Sequence, residues 1–274
     1  MENTADFKFF DLAREYNIID MHIHPYTSDE QNICNYQGLL KLTKDDIKKD
    51  MYRAGISRYA GSVLDASKRG KAYSEDFSII KKCNDTVLEM AKEDPNLIPG
   101  IHIHPAFPEE SINEMKRCHA MGVRLIGELV PYLMDWVDYA DPVFSDLLDV
   151  AGKLGMVVNF HSNDEGNMET MIRSHPDVIF IAAHPGARHS FLAHVERIKK
   201  YENAYLDLSG TGIFRYGMIE YGVKKVGSER LLFGSDYPTC MPGMYVGGVL
   251  YERITERDRE NIFHNNAARL LGIK

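Results

Sequence analysis

The stretch Ile18-Ile19-Asp20-Met21-His22-Ile23-His24-Pro25 decides how this chain is read. It begins apolar and β-branched and closes on two histidines before a proline, the pattern of a buried strand ending at a functional edge. Side chains alternate along a strand, so His22 and His24 are expected on one face, with Met21 and Ile23 on the other. Two imidazoles so placed can share one cation.

The same scheme recurs outward from there. Strand-like runs fall at 18–24, 56–64, 97–104, 123–128, 156–161, 178–184, 204–209 and 230–236. Amphipathic helical stretches follow at 44–54, 76–92, 109–121, 142–154, 168–174, 190–200, 217–226 and 258–271. Gly55, Gly122, Gly155, Gly227 and Gly272 stand where helices should stop. Seven strand-to-strand steps separate His24 from Asp236, at about 30 residues each, the length of a βαβ unit. Eight units predict a closed parallel (β/α)8 TIM barrel, one domain over residues 1–274. A doubly wound sheet is the alternative, but no Gly-x-Gly-x-x-Gly loop follows the first strand.

Composition agrees with one large globular domain. The chain has 274 residues, 44% hydrophobic and 26% charged, near the ~250 residues typical of such a barrel. A formal net charge of −8 argues against a nucleic-acid surface, which needs clustered Lys and Arg. No apolar run reaches the ~20 residues of a membrane span, and residues 1–10 lack an apolar segment with a cleavage site. Cys34, Cys83, Cys118 and Cys240 lie far apart and are expected as free thiols, which makes the cytoplasm the expected compartment. The expected partner is a small-molecule substrate, not nucleic acid or membrane; a homo-oligomer is compatible with the sequence.

In a (β/α)8 barrel the active site lies where the strands end. Ligand-type residues occupy these ends: His22 and His24, then Glu128, His161, His184 and Asp236. A lone histidine at a strand end is more often a hydrogen-bonded polar residue than a ligand. The joint pattern is different, because a buried set of this kind without a cation leaves several polar groups in need of partners. Imidazoles with a carboxylate suit Zn²⁺ better than Mg²⁺ or Ca²⁺, so one or two divalent ions, zinc first, are the expected cofactor.

The segments IIDMHIHP (18–25), VVNFHSND (157–164), IAAHPG (181–186) and LLFGSDYP (231–238) together resemble the amidohydrolase superfamily. The likeness is to its amidohydrolase-related branch, which holds both small hydrolases and nonoxidative decarboxylases. The closing IFHNNAARLLGI (262–273), with Asn266, is similar to the branch's C-terminal helix. The resemblance implies that His22, His24 and His161 are metal ligands and that Asp236 sits beside the metal and takes a proton from its water. It implies for His184 either a place on a second metal or a hydrogen bond to substrate.

Glu128, in GVRLIGELVPY (122–132), departs from the branch, many members of which have no acidic ligand on strand four. In other parts of the superfamily, the TatD-type hydrolases among them, such a Glu bridges two metals. A binuclear site is therefore expected, the alternative being an ion pair with Arg124. GIHIHP (100–105) offers a second His-x-His, of which His104 is expected to face substrate. Asp20 is expected to orient a ligand imidazole, and Asp207 to be structural. His119, His175, His189, His194 and His264 are expected at the surface or behind the ligands.

Loops 25–43, 131–141 and 238–251 are expected to wall the pocket with Tyr26, Tyr36, Tyr132, Trp136, Tyr139, Met241 and Tyr245. Tyr132 is taken as substrate-binding, and Arg215 as a partner for a substrate carboxylate. The leading expectation is a hydrolase in which metal-bound hydroxide cleaves a small amide, lactone or ester. The alternative is a metal-dependent nonoxidative decarboxylase of a small unsaturated or aromatic acid. A catalytically silent metal-binding protein is disfavoured by Asp236 standing with every histidine.

Overall fold

Eight parallel strands follow one another around a barrel in chain order, as the repeat predicts. They are β1 (Ile18–Ile23), β2 (Ile56–Gly61), β3 (Leu97–Ile101), β4 (Leu125–Leu129), β5 (Val157–His161), β6 (Phe180–Ala183), β7 (Ala204–Asp207) and β8 (Leu231–Leu232). The computed structural model describes residues 9–28, 31–33, 42–213 and 215–273. The barrel closes between its last and first strands, where Met21 N donates to Phe233 O at 2.9 Å and Asp236 N to His22 O at 2.8 Å. No helix among the described residues is long and apolar enough to cross a membrane.

The helices are α1 (Phe9–Arg14), α2 (Lys44–Arg53), α3 (Lys71–Glu75), α4 (Phe77–Glu93), α5 (Pro108–Ala120) and α6 (Pro142–Lys153). After them come α7 (Glu165–Ser174), α8 (Arg188–Lys200), α9 (Met218–Val226), α10 (Pro242–Tyr251), α11 (Glu256–Glu260) and α12 (Asn266–Leu271). Side-chain caps set several starts. Asp76 accepts from Ser78 N ahead of α4, and Asp141 from Val143 N and Phe144 N ahead of α6.

Some boundaries differ from the expectation. Residues 238–251 are not all loop, since α10 fills most of them. Three glycines weaken its propensity, but Tyr245, Val246 and Val249 are buried and hold it by packing. The helix expected at 168–174 begins at Glu165, where Asp164 caps it. Helices α1 and α3, both short, had no periodic signal. β6 and β8 end before their polar residues, because the chain turns sharply there: His184 has φ 68° and Asp236 φ 61°. The expected wall residues Tyr26, Trp136, Tyr139 and Tyr245 are buried, while Tyr36 and Cys34 lie outside the described residues. Cys83, Cys118 and Cys240 are free thiols.

One apolar residue from each strand forms a layer inside the barrel: Ile19, Ala60, Ile98, Leu125, Val157, Ile181, Tyr205 and Leu232. Ala267 and Leu271 of α12 pack against this layer and plug that end. The polar centre stands above it, at the opposite end of the strands. Strict alternation fails in β1 and β4. Met21 packs with Ile19 in the inner cluster while Ile23 joins the outer one, and the register shifts between Asp20 and Ile23. A second shift, between Ile126 and Leu129, accompanies the turn of Glu128 into the barrel.

Candidate metal centre

Glu128 occupies the middle of the site, with four imidazoles around its carboxylate. Its Oε2 lies 3.3 Å from His22 Nε2 and 3.2 Å from His24 Nε2. Its Oε1 lies 3.0 Å from His161 Nδ1 and 3.4 Å from His184 Nε2. Asp236 Oδ1 closes the first group, 3.5 Å from His24 Nε2 and 3.7 Å from His22 Nε2. The six residues proposed from the sequence as ligands thus stand together. Arg124 is turned elsewhere, donating to the carbonyls of His119 and Val123.

The backbone behind Glu128 leaves no freedom. Gly127 has φ 102°, and a Cβ there would lie 2.0 Å from the Asn159 carbonyl oxygen, so only glycine lets β4 pass β5 this closely.

Hydrogen bonds on the far side of the rings decide their tautomers. His22 Nδ1 lies 3.0 Å from Asp207 Oδ2 and 3.0 Å from Ser209 Oγ. His184 Nδ1 also lies 3.0 Å from Ser209 Oγ, whose own proton goes to Asp207 Oδ1. Both Nδ1 atoms therefore carry the proton, and both Nε2 lone pairs face Glu128. Lone pairs facing a buried carboxylate repel unless a cation stands between them. Protonated imidazoles are the other remedy. Burial opposes this at His22, but Glu128 and Asp207 outweigh it and raise its pKa. Glu128 is affected in reverse: burial would raise its pKa, and His22 and His161 hold it well below the usual carboxylate range.

The donor spacing fits a small divalent ion. His22 Nε2, His24 Nε2 and Glu128 Oε2 are 3.2 to 3.4 Å apart. A tetrahedron with metal–ligand bonds of about 2.0–2.1 Å has an edge of about 3.3–3.4 Å. Glu128, His161 and His184 make a second compact group of three, sharing the same carboxylate.

The other expected site residues are placed as follows. Tyr132, largely exposed, sets its ring edge-on to His161, 5.1 Å between centroids, beside a surface cavity of about 370 Å³ that includes Asn163. Arg215 donates to the Gly186 carbonyl at 2.9 Å, tying the loop after β7 to the loop after β6. His104 corrects the sequence reading. It is buried, its Nδ1 accepts from Ala106 N at 3.0 Å, and its Nε2 donates to Met134 O at 2.7 Å. With both nitrogens committed to backbone, it braces the loop after β4 and has no polar atom for a substrate.

Two acidic residues exchange the roles expected of them. Asp20 Oδ1 accepts from the backbone N–H groups of His22 and Ser235 and touches no imidazole. Asp207, expected to be structural, is the residue that orients His22. The signal was in the sequence, since Asp207 ends β7 on the inward register of Tyr205. Of the remaining histidines, His175 and His194 are buried and His189 is exposed.

No curated protein matches the chain. Among solved structures, 2,6-dihydroxybenzoate decarboxylase from Rhizobium superposes with a TM-score of 0.72 at 17% identity, covering 93% of this chain and 98% of that one. A dihydroxybenzoic acid decarboxylase from Polaromonas, which contains manganese, gives 0.69 at 15% identity, covering 93% and 97%. A candidate 2-pyrone-4,6-dicarboxylic acid hydrolase from Pseudomonas putida gives 0.66 at 17%, covering 94% and 98%. At these identities the likeness is one of fold. The family model described as amidohydrolase matches residues 19–273, nearly the whole chain, and together with the His-His-Glu donor set it supports a divalent metal: this chain belongs to the amidohydrolase family.

Proposed function

We propose that the chain is a metal-dependent hydrolase of a small carbonyl compound, an amide, lactone or related ester, with two divalent ions bridged by Glu128. The observation that carries this is the position of Glu128, one carboxylate oxygen toward His22 and His24 and the other toward His161 and His184. His22, His24 and Asp236 would hold one ion, and His161 and His184 the other. Ions bound there would supply Lewis acidity, for polarising a carbonyl and for lowering the pKa of a water.

The chain's own residues do the rest. Asp236, on the rim of the first donor group with Oδ1 turned towards it, accepts the proton of the attacking water on its other carboxylate oxygen, Oδ2, and returns it to the leaving group. Asp207 and Ser209 hold His22 and His184 in the tautomer that leaves Nε2 free. Tyr132 stands at the mouth beside His161, where it contacts an incoming substrate, and Arg215 meets a substrate carboxylate from the loop after β7. Zinc is the expected ion on the nitrogen-rich donor set.

Decarboxylation of a small aromatic or unsaturated acid is the second reading, favoured by the decarboxylases among the fold neighbours. Metal analysis of protein purified without chelator, followed by a screen of lactones, amides and aromatic acids, supplies the substrate. Isotope labelling then separates the two. Hydrolysis places ¹⁸O from water in the product. Carbon-bound deuterium with CO₂ release, and no ¹⁸O beyond a no-enzyme control, overturns the hydrolase reading.

A further inference from the structure

Four buried polar atoms without a partner follow the ends of β1, β2 and β3, next to the donor set but outside it. His24 Nδ1, Ser62 Oγ and both ring nitrogens of His102 are buried and make no hydrogen bond. They stand just past the ends of three neighbouring strands. Ile23 pairs with Gly61 and Gly61 with Pro99, so His24 and Ser62 continue adjacent strands, and His102 follows the last residue of β3. The charged groups that His102 meets most strongly are His24 and Glu128, and its ring lies against the Val63 backbone without a well-formed hydrogen bond to it. Leaving a buried polar group unpaired is costly, so four of them on adjacent strands call for an explanation.

The position of His102 is itself braced. Asn84 of α4 grips its backbone from both sides: Nδ2 donates to His102 O at 3.0 Å, and Oδ1 accepts from His102 N at 2.8 Å. Asn84 also donates to Glu114 of α5 at 3.2 Å, and Arg117 holds Glu114 in turn. Two helices thus fix the backbone from which a fully buried imidazole projects. A position that needed only bulk would be filled at lower cost by an apolar side chain.

Hydrogen-bond capacities suggest what the group does. A histidine that binds metal through Nε2 carries its proton on Nδ1 and needs an acceptor there. His22 has Asp207 and His184 has Ser209, but His24 has none. A neutral His102 has one acceptor nitrogen, and Ser62 has a hydroxyl. One water accepting from His24 Nδ1–H and donating to the acceptor nitrogen of His102 and to Ser62 Oγ serves three of these four atoms, within the two to four partners of a buried water, and leaves the His102 N–H facing the Val63 backbone.

We propose that His102 and Ser62 hold a buried water that fixes the ring of His24, making His102 a positioning residue for the metal and not a ligand. The proposal rests on His24 being a metal ligand. It accords with the donor groups, none of which includes His102.

The test is a zinc titration of the full chain against a chromophoric chelator. His102→Leu should weaken zinc binding ~10- to 100-fold, and His102→Gln, which keeps an acceptor, should recover most of the loss. Ser62→Ala should weaken binding less, and the double variant His102→Leu/Ser62→Ala should be no worse than His102→Leu, since both act through one water. Urea unfolding of the metal-free His102→Leu chain should match or exceed wild type, which a merely structural role would not allow. Wild-type zinc affinity in His102→Leu, or losses that multiply in the double variant, overturns the proposal. Should His102→Leu fail to fold, unchanged affinity in Ser62→Ala overturns it. A wild-type chain that binds no zinc overturns the metal centre itself, a result distinct from these.

Discussion

His22 Nδ1 lies 3.0 Å from Asp207 Oδ2 deep in the barrel, and the two side chains are 1% and 0% exposed. Burial would raise the Asp207 pKa, but His22 outweighs it and the carboxyl is held at about 2. Asp207 is also gripped by Asn159 Nδ2 at 2.8 Å. Both Asp207 oxygens accept, so Asp207→Asn sets an NH2 donor against groups that themselves donate. Zinc affinity should fall ~10- to 100-fold with little change in circular dichroism. Undiminished affinity would return Asp207 to a purely structural role.

Glu128→Gln tests the bridge. A neutral amide joins two cations poorly, and the variant leaves four imidazoles without their common anion. Metal content measured by mass spectrometry should drop from two equivalents towards one. A wild type that carries a single equivalent, unchanged in the variant, refutes the binuclear arrangement.

Asp236→Asn separates binding from chemistry. The amide keeps the shape of the side chain and can still ligate through oxygen, but it cannot take a proton from water. Most of the metal should stay, while turnover falls by at least the ~10²–10⁴ typical of a lost general base. Near wild-type turnover would assign the base elsewhere.

Gly127→Ala should damage both fold and centre. The added Cβ meets the Asn159 carbonyl at 2.0 Å, in a backbone at φ 102°. A urea melt should show a loss on the order of 4 kcal/mol, with metal content reduced because Glu128 moves. Gly122→Ala is the control, since it has φ 96° but nothing within 4 Å of the new Cβ. Its cost should be only about 1–2 kcal/mol of backbone strain. Equal losses in the two would remove the close approach as the cause.

His194 supplies a pH dependence. Its Nδ1 accepts from Arg197 at 2.7 Å, and burial, aided by Arg197, pushes its pKa down to about 3. The unfolded chain takes up this proton near pH 6.5 and the folded chain does not. Stability from this group is therefore complete above pH 6.5 and is lost as pH falls towards 3. In chelator, the wild type should lose about 1.4 kcal/mol per pH unit below pH 6 from this one group. His194→Gln should be less stable at pH 7 but have the shallower slope. Parallel slopes for the two chains would rule out His194 as the titrating group.

The sequence by itself determined the barrel and the identity of the polar residues at its rim. Apolar runs of strand length recurring with βαβ spacing are local signals, and His22, His24, Glu128, His161, His184 and Asp236 each end such a run. Which atoms meet across the barrel was decided only by closure of the sheet. Alternation in β1 predicted Met21 and Ile23 on one face, but a register shift separates them. A similar shift accompanies the inward turn of Glu128. Read along the chain, Asp20, two residues from His22, is the residue expected to orient an imidazole and Asp207 the structural one. Asp207 orients the ring instead because β7 brings it beside His22 from 185 residues away. His102 and His104 share one motif, yet β3 ends at Ile101 and the chain beyond it leaves one ring buried with neither nitrogen paired and sends the other to the Met134 carbonyl. Periodicity records which residues are apolar and how far apart they lie. Long-range register and the partner of each buried polar atom arise only when all eight strands are packed, because each such atom must find its hydrogen bond among neighbours remote in sequence.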